Sequence, residues 1–512
     1  MATRRILDIP LNRAEGDLEV RLEVDDGVVV DAWSSGTMFR GFERLLVGRG
    51  ALDGLVVTPR ICGICSTTHL MTAAKALDAV AGVEVPDNAI RLRNLALMVE
   101  HVQSDVRQSV LMFMVDFANP AYWDHPLFAE AGRRYAPLAG SSALDVVRET
   151  KRIIEIIAAI GGQWPHSSFM VPGGVTYAPQ AAELLQCRHI LEVYRDWYER
   201  RVLGCSIERW RQVDSLAALD RWLEEAPAHR DGEVGFLLRF GRHSGLDRLG
   251  RGTGNFLSYG SLDLPRQTTA RGRDGRLVPA GFVLDGKAED FDPAWIGEHV
   301  ASSWSANYEG GRHPFEGETV PYASGDEGRK YSWAKAARYR GAPAETGPLA
   351  ERVIGGDPLF ADLIDKQGPN LLARQLARLT RPTTLLPTMA VWLAELIASG
   401  GGDFYVDPGP LENGTGAGLI QATRGALGHW VTIKGGKIER YQIITPSVWN
   451  GSPRDSGGVR GPWEEALVGT PVGDPDNPVA VGHVIRSFDP CLVCTVHSVH
   501  RGRTVGRARL EC

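Results

Sequence analysis

At 512 residues, with 43% hydrophobic and 23% charged residues, the chain can bury a sizeable core and has the composition of an ordinary folded protein. A net charge of −6 leaves no basic footprint for nucleic acid, and no uninterrupted apolar run is long enough to span a bilayer. Seven cysteines in so long a chain do not form a secreted disulfide framework, and Met1-Ala2-Thr3-Arg4-Arg5 is not followed by the apolar stretch of a signal peptide.

Residues 17–24 alternate strictly, with Leu18, Val20, Leu22 and Val24 on one face and Asp17, Glu19, Arg21 and Glu23 on the other. That period predicts a half-buried strand, and Asp26-Gly27 predicts a hairpin turn into Val28-Val29-Val30. From Asp87, read as an N-cap, apolar positions recur at helical spacing through Leu95, Met98, Val102, Val106 and Val110. A second helix is predicted from about 142 to 160, ending at Gly161-Gly162, and a third from about 180 to 203. A fourth and fifth flank Pro382, at about 369–380 and 385–399. Segments 240–350 and 400–480 are rich in Gly and Pro and show few long periodic runs. Within the second, Gly414-Thr415-Gly416-Ala417-Gly418 has its third glycine one position early for a dinucleotide-binding loop and reads as a turn. The expected fold is α+β and mainly helical: a central bundle of long helices, a small N-terminal β-sheet, and peripheral irregular or β segments. No internal repeat or linker divides it.

The chemistry sits at the two ends. Cys62 and Cys65 form one Cys-x-x-Cys pair, followed by His69; Cys491 and Cys494 form another, followed by His497. Two such pairs make a four-thiolate site if the fold joins them, and soft sulfur ligands suit zinc, nickel, iron, copper(I) or an iron–sulfur cluster. Because thiolates can bridge, four sulfurs also suffice for a two-metal centre. More than four hundred residues separate the pairs, far more than in a compact zinc module. The remaining cysteines, Cys187, Cys205 and Cys512, read as core or terminal residues.

Arg60-Ile61-Cys62-Gly63-Ile64-Cys65 with His69, and Asp489-Pro490-Cys491-Leu492-Val493-Cys494 with His497, resemble the two signature motifs of the nickel–iron hydrogenase large subunit. Further blocks continue the likeness in order: Arg13-Ala14-Glu15-Gly16, residues 36–43, 162–166, 331–336, 347–350, 424–430 and 446–450. The run 117–122 and the segment 161–168 are most similar to the uptake-type branch of cyanobacteria and actinobacteria.

The resemblance implies that Cys62, Cys65, Cys491 and Cys494 bind nickel, with Cys65 and Cys494 bridging to an iron that carries cyanide and carbon monoxide. It implies heterolytic oxidation of dihydrogen, with Cys491 a proton acceptor and Glu15 the relay beyond it. Arg424 is placed over the open side of the centre. Ser447 is placed as a donor to a cyanide, with Thr423, Leu427, Thr445 and Pro446 around the iron pocket. Glu43, the carbonyl of Ile443 and His497 are implied as ligands of a second metal, magnesium, and Asp489 as a brace near the nickel. Residues 1–497 are expected as a single domain. Residues 498–512 are expected as an extension that a maturation protease removes after nickel-insertion factors have acted.

Two departures stand out. Gln421-Ala422-Thr423 precedes Arg424 where the family often has Glu-Ala-Pro, and the helical aspartate that commonly pairs with that arginine falls on Ser104, with Asp105 one residue later. One residue rotates a helical side chain by about 100°, so neither position is assigned a catalytic role. With no cysteines left for clusters, iron–sulfur clusters are expected only in a small-subunit partner. Nucleic acid and a direct membrane span are not expected; the location is expected to be cytoplasmic, with attachment to a membrane through partners left open. The alternatives are a hydrogen-sensing relative, a subunit like the quinone-reductase core of respiratory complex I (which lacks the four cysteines), and a zinc-stapled scaffold.

Overall fold

The alternating N-terminal segment folds into a three-stranded antiparallel sheet, β1 (Arg5–Leu11), β2 (Leu18–Asp25) and β3 (Val28–Gly36). These and all following features are those of a computed structural model of the chain, which describes residues 4–14, 16, 18–324 and 328–491. Leu18, Val20, Leu22 and Val24 are buried on one face as the period requires. Asp26 and Gly27 both take positive φ, 48° and 77°, the backbone that a two-residue hairpin loop needs to match strand twist. The strand β1 carries no comparable period; its place is set by pairing with β2 from Arg5↔Val24 to Leu11↔Leu18.

The helical core is built from α1 (Ser66–Ala81), α2 (Asp87–Arg107), α3 (Ser141–Gly161), α4 (Ala181–Trp197), α5 (Leu371–Thr380) and α6 (Pro382–Ser399). Helix α2 is buried on nearly every side, which fits a central strut surrounded by other helices. Asp87 is not its cap: Pro86 holds that place, and the Asp87 carboxylate instead accepts the backbone N–H groups of Arg266 (3.1 Å) and Gln267 (2.9 Å). Both α2 and α4 run on into single π-helical segments, Gln108–Phe113 and Tyr198–Leu203, which accounts for the length of their sequence periods. Helix α3 stops where read, at Gly162 with φ 81°. Among the described residues no helix is long and apolar enough to cross a membrane.

A second three-stranded sheet, β4 (Asn413–Ala422), β5 (Gly425–Lys434) and β6 (Lys437–Ile444), lies against α1. The glycine run read as a turn is part of β4. A Cβ on Gly416 would stand 2.2 Å from the Ala76 carbonyl oxygen, and one on Gly418 2.0 Å from that of Thr72. Glycine is therefore required for strand and helix backbones to touch. This sheet had no alternation to read because β5 is covered on both faces from Gly425 to Val431.

One buried carboxylate gives the fold a measurable pH signature. Glu464, on the short helix Pro462–Leu467, is fully buried and accepts the Ser34 N–H (3.0 Å) and the Tyr331 hydroxyl (2.7 Å). Burial outweighs these bonds and the Arg454 charge, pushing its carboxyl up from 4.5 to about 7. A raised folded value means that the contribution to stability is present below the unfolded value and is lost as pH rises through about 7. Relative to Glu464→Gln, the wild type should lose up to about 3 kcal/mol of stability between pH 4.5 and 8. Paired thermal melts across that range check this, and a stability difference independent of pH contradicts it.

Candidate metal centre

Cys62 and Cys65 occupy a tight turn between the 3₁₀ segment Thr58–Arg60 and the start of α1, and Cys491 follows the last described helix, α7 (Val479–Ser487). All three are buried free thiols whose sulfurs lie within 4.8 Å of one another. Cys62 and Cys491, 429 positions apart, bring their sulfurs to 3.7 Å. Three soft donors facing one point suit a single thiophilic metal. Among the described residues no other cluster of His, Cys, Asp and Glu is arranged to do so. Cys494 and His497 lie outside the described residues, and so does Glu15.

The first cysteine pair is fixed through the open end of α1. Its free N–H groups at Thr67 (2.8 Å) and Thr68 (2.9 Å) donate to the carboxylate of Glu100, which reaches across from α2 and also takes the Thr68 hydroxyl. Burial raises the Glu100 carboxyl, with these donors opposing the shift. The Trp164 indole N–H completes the set at 3.2 Å, and the neighbouring His166 N–H donates to Ser66 Oγ at 3.2 Å. The block 162–166 thus braces the cysteine turn from outside. Arg40 holds the same turn through the Ile61 carbonyl.

The second pair is held differently. Ser447 Oγ accepts the Cys491 N–H at 3.0 Å, and Thr445 caps the helix Pro446–Asn450 by accepting the Val448 N–H at 3.3 Å. Asn450 clamps Thr346 through both its N–H and its carbonyl, each at 2.9 Å. Thr346 in turn packs beneath Gly425, where a Cβ would lie 2.5 Å from its Oγ1 and the backbone has φ 128°. Only glycine can follow Arg424 through that turn.

Arg424 projects from the β4–β5 turn into a small cavity whose walls include Cys65, His69, Thr423, Leu427, Pro446, Ser447 and Cys491. Its Nε faces Asp489 Oδ1 at 3.1 Å, while its buried Nη1 has no hydrogen-bond partner among the described residues. Burial alone would weaken its charge, but Asp489 and the sulfurs of Cys491, Cys65 and Cys62 hold it firmly protonated. A buried guanidinium with a spare N–H beside three sulfurs fits a site whose occupant carries acceptor groups of its own.

Several residues near the cavity carried no role in the sequence reading. His69 is driven by burial to about 4, and is therefore neutral; its Nδ1 lies 3.1 Å from His429 Nε2, and His429 Nδ1 lies 2.9 Å from the Tyr441 hydroxyl. The signal was present in the spacing, since a residue four positions after Cys65 shares its helical face. Elsewhere, Glu43 accepts the Ile443 N–H at 2.8 Å and the Thr319 hydroxyl. The expected pair is therefore adjacent, bonded through the Ile443 N–H. Beside it Lys335 bridges Glu298 (3.0 Å) and Gln442 (2.9 Å). Gln421 spends its oxygen on the Tyr259 N–H, a link between sheets. Asp105 grips Arg381 with both oxygens at 2.8 Å, and Arg424 pairs with Asp489.

Comparison with known proteins places this geometry. The profile of a family described as nickel-dependent hydrogenase matches residues 40–117 and 238–497. The chain is 32% identical to the periplasmic [NiFeSe] hydrogenase large subunit of Desulfomicrobium baculatum, over 96% of this chain and 94% of that one. It is 30% identical to the uptake hydrogenase large subunit of Rhizobium leguminosarum bv. viciae, over 96% and 95%. The solved Ni-Fe-Se hydrogenase of Desulfovibrio vulgaris Hildenborough in its reduced state superposes with a TM-score of 0.81 at 30% identity, covering 97% of this chain and all of that one.

Replacing Ser447 by alanine leaves the buried Cys491 N–H without an acceptor. The expected loss is about 1–3 kcal/mol, read as a lower denaturation midpoint at unchanged subunit composition. An unmoved midpoint would show that this bond does not hold Cys491.

Proposed function

This chain belongs to the nickel-dependent hydrogenase family, as a catalytic large subunit with a nickel–iron type of active site, and from that premise we propose that it oxidises dihydrogen to protons and electrons at a centre held by Cys62, Cys65, Cys491 and Cys494. The observation that carries this reading is the meeting of three buried sulfurs from opposite ends of the chain beside a guanidinium whose Nη1 has no hydrogen-bond partner among the described residues. When bound, a nickel–iron pair bearing cyanide and carbon monoxide supplies the soft, electron-rich site for heterolytic splitting of dihydrogen.

The protein's part is to hold, orient and remove protons. Cys62 and Cys491 would hold nickel alone, and Cys65 and Cys494 would be shared between nickel and iron. Arg424 orients what enters the open side through a fixed planar donor. The Ser447 hydroxyl, already accepting from Cys491, keeps its own proton to donate to a cyanide. Thr423, Leu427, Thr445 and Pro446 wall the iron side. Cys491 Sγ takes the proton and Glu15 passes it on. Glu43, the Ile443 carbonyl and His497 would hold a magnesium ion, a hard cation matched by oxygen ligands, with Asp489 bracing the nickel side.

Electrons need an exit, and among the described residues Cys62, Cys65 and Cys491 are the only group of potential metal ligands that come together. Leu45, Val47, Leu52 and Val56, in the segment leading to the first cysteine pair, are each about half exposed. Such a patch suits an iron–sulfur small subunit that brings clusters close to the centre. In this reading residues 1–497 form the mature cytoplasmic subunit, and a maturation protease removes 498–512 after nickel-insertion factors have loaded the site.

Copurification with the small subunit should yield about one nickel per large chain, as four thiolates can hold, with iron in excess of nickel because the partner's clusters add to the iron of the centre, together with dye reduction under hydrogen and an intact mass ending at His497. Cys62→Ser should abolish both nickel retention and dye reduction. Zinc alone, or full activity with residues 498–512 still attached, would contradict the respective claims.

A further inference from the structure

Six buried charged side chains run from the cavity into the helical core in alternating sign: Arg424, Asp489, Arg378, Asp105, Arg381 and Glu351. Asp489 divides its carboxylate, with Oδ1 3.1 Å from Arg424 Nε and Oδ2 3.2 Å from Arg378 Nη1. The same Arg378 nitrogen reaches the Thr423 carbonyl at 3.3 Å and Asp105 Oδ1 at 3.5 Å. Arg381 also donates to the Thr423 carbonyl, at 2.8 Å, while gripping Asp105 with two bonds and Glu351 at 2.9 Å.

We propose that Arg378 is a positioning residue for Arg424: it fixes the carboxylate that orients the Arg424 guanidinium and the carbonyl immediately before it in the chain. Arg424 by itself is poorly held. It sits in a tight turn, meets a single carboxylate among the described residues, and its Nη1 has no hydrogen-bond partner among them. Asp489, its carboxylate anchor, stands in a turn with a left-handed backbone, φ 60°, and not in a helix or strand that would fix its side chain. Arg378 fixes that side chain from α5, a helix buried along its whole length, by donating to Oδ2 at 3.2 Å. Asp105 and Arg381 keep Arg378 from collapsing onto Asp489, because its positive charge is shared between two carboxylates. This assigns a role to the aspartate that stands one residue off the expected position. Asp105 does not touch Arg424 and acts on it through Arg378.

The proposal rests on Arg424 acting at the hydrogenase centre, and the test separates the two. In the assembled large–small pair, Arg378→Gln should lower kcat per nickel on the order of 100-fold, the scale of a misplacement of about 1 Å, with KM for the dye unchanged. Arg378→Lys restores the charge but cannot span Asp489 and the Thr423 carbonyl together, so it should recover part of the loss. In an Arg424→Lys background, Arg378→Gln should cost less than about twofold, the non-additivity of residues acting as one unit. Arg374→Gln breaks a buried pair of the same depth, to Glu345 at 2.7 and 2.8 Å, and should cost the same factor in both backgrounds. A crystal structure of the Arg378→Gln pair should show the Arg424 guanidinium displaced or split between rotamers. If that variant fails to assemble, Arg378→Lys decides by the same two readouts. Equal losses in both backgrounds, or an Arg424 that keeps one unchanged position, would overturn the proposal. A wild-type pair without nickel or hydrogen uptake would overturn the functional reading, and the Arg424 conformation would still decide this one.

Discussion

The rest of the structure depends on one constraint: the two ends of the chain must meet with their sulfurs within a few ångströms in a dry interior. Cys62 and Cys491 do so at 3.7 Å across 429 positions of sequence. No local element can enforce such a contact, so each end has its own lock. The first is the Glu100 carboxylate on the open N–H groups of α1, backed by Trp164. The second is the Ser447 hydroxyl on the Cys491 N–H. The sheet β4–β6 ties the two together, because its glycines let it lie directly on α1 while its turn carries Arg424 and its last strand leads into Thr445 and Ser447.

Burying so many charges would be costly if they were unpaired, since each lost partner leaves a desolvated ion. Around the candidate centre they are balanced. Arg424, Arg378 and Arg381 alternate with Asp489, Asp105 and Glu351, and a second buried set joins Lys335, Glu298 and Gln442 near Glu43. The histidines follow the other rule for dry interiors. His69 and His429 are driven down by burial and remain neutral, linked in a chain to Tyr441. Charges balanced in this way can hold donors ready for an occupant.

Much of this was legible in the residues. Period and turn chemistry located the N-terminal hairpin and five helices to within a few residues, because their apolar positions recur at strand or helix spacing. The paired cysteines and the ordered blocks around them identified the family, and the structure brings Cys62, Cys65 and Cys491 together with Arg424, Ser447 and Asp489. What escaped was whatever depends on two-sided burial or on distant partners. Strand β5 has no alternation because both faces are covered, and the glycines of β4 looked like a turn because their partner is a helix far earlier in the chain, with Gly416 against Ala76 and Gly418 against Thr72. Helix α1 lacks an amphipathic stripe for the same reason. The work of Glu100, Arg378 and Arg381 is invisible in one dimension, since each acts on a segment far away in sequence.

The central claim is that both chain ends hold one nickel–iron pair. Anomalous diffraction at the nickel and iron absorption edges, from crystals of the large–small pair, tests it directly. Apart from the iron peaks of the partner's clusters, the account predicts one nickel peak and one iron peak within this chain, adjacent to each other and bounded by the sulfurs of Cys62, Cys65 and Cys491, with Arg424 facing them. A single zinc peak there, or nickel bound elsewhere in the chain, would contradict it.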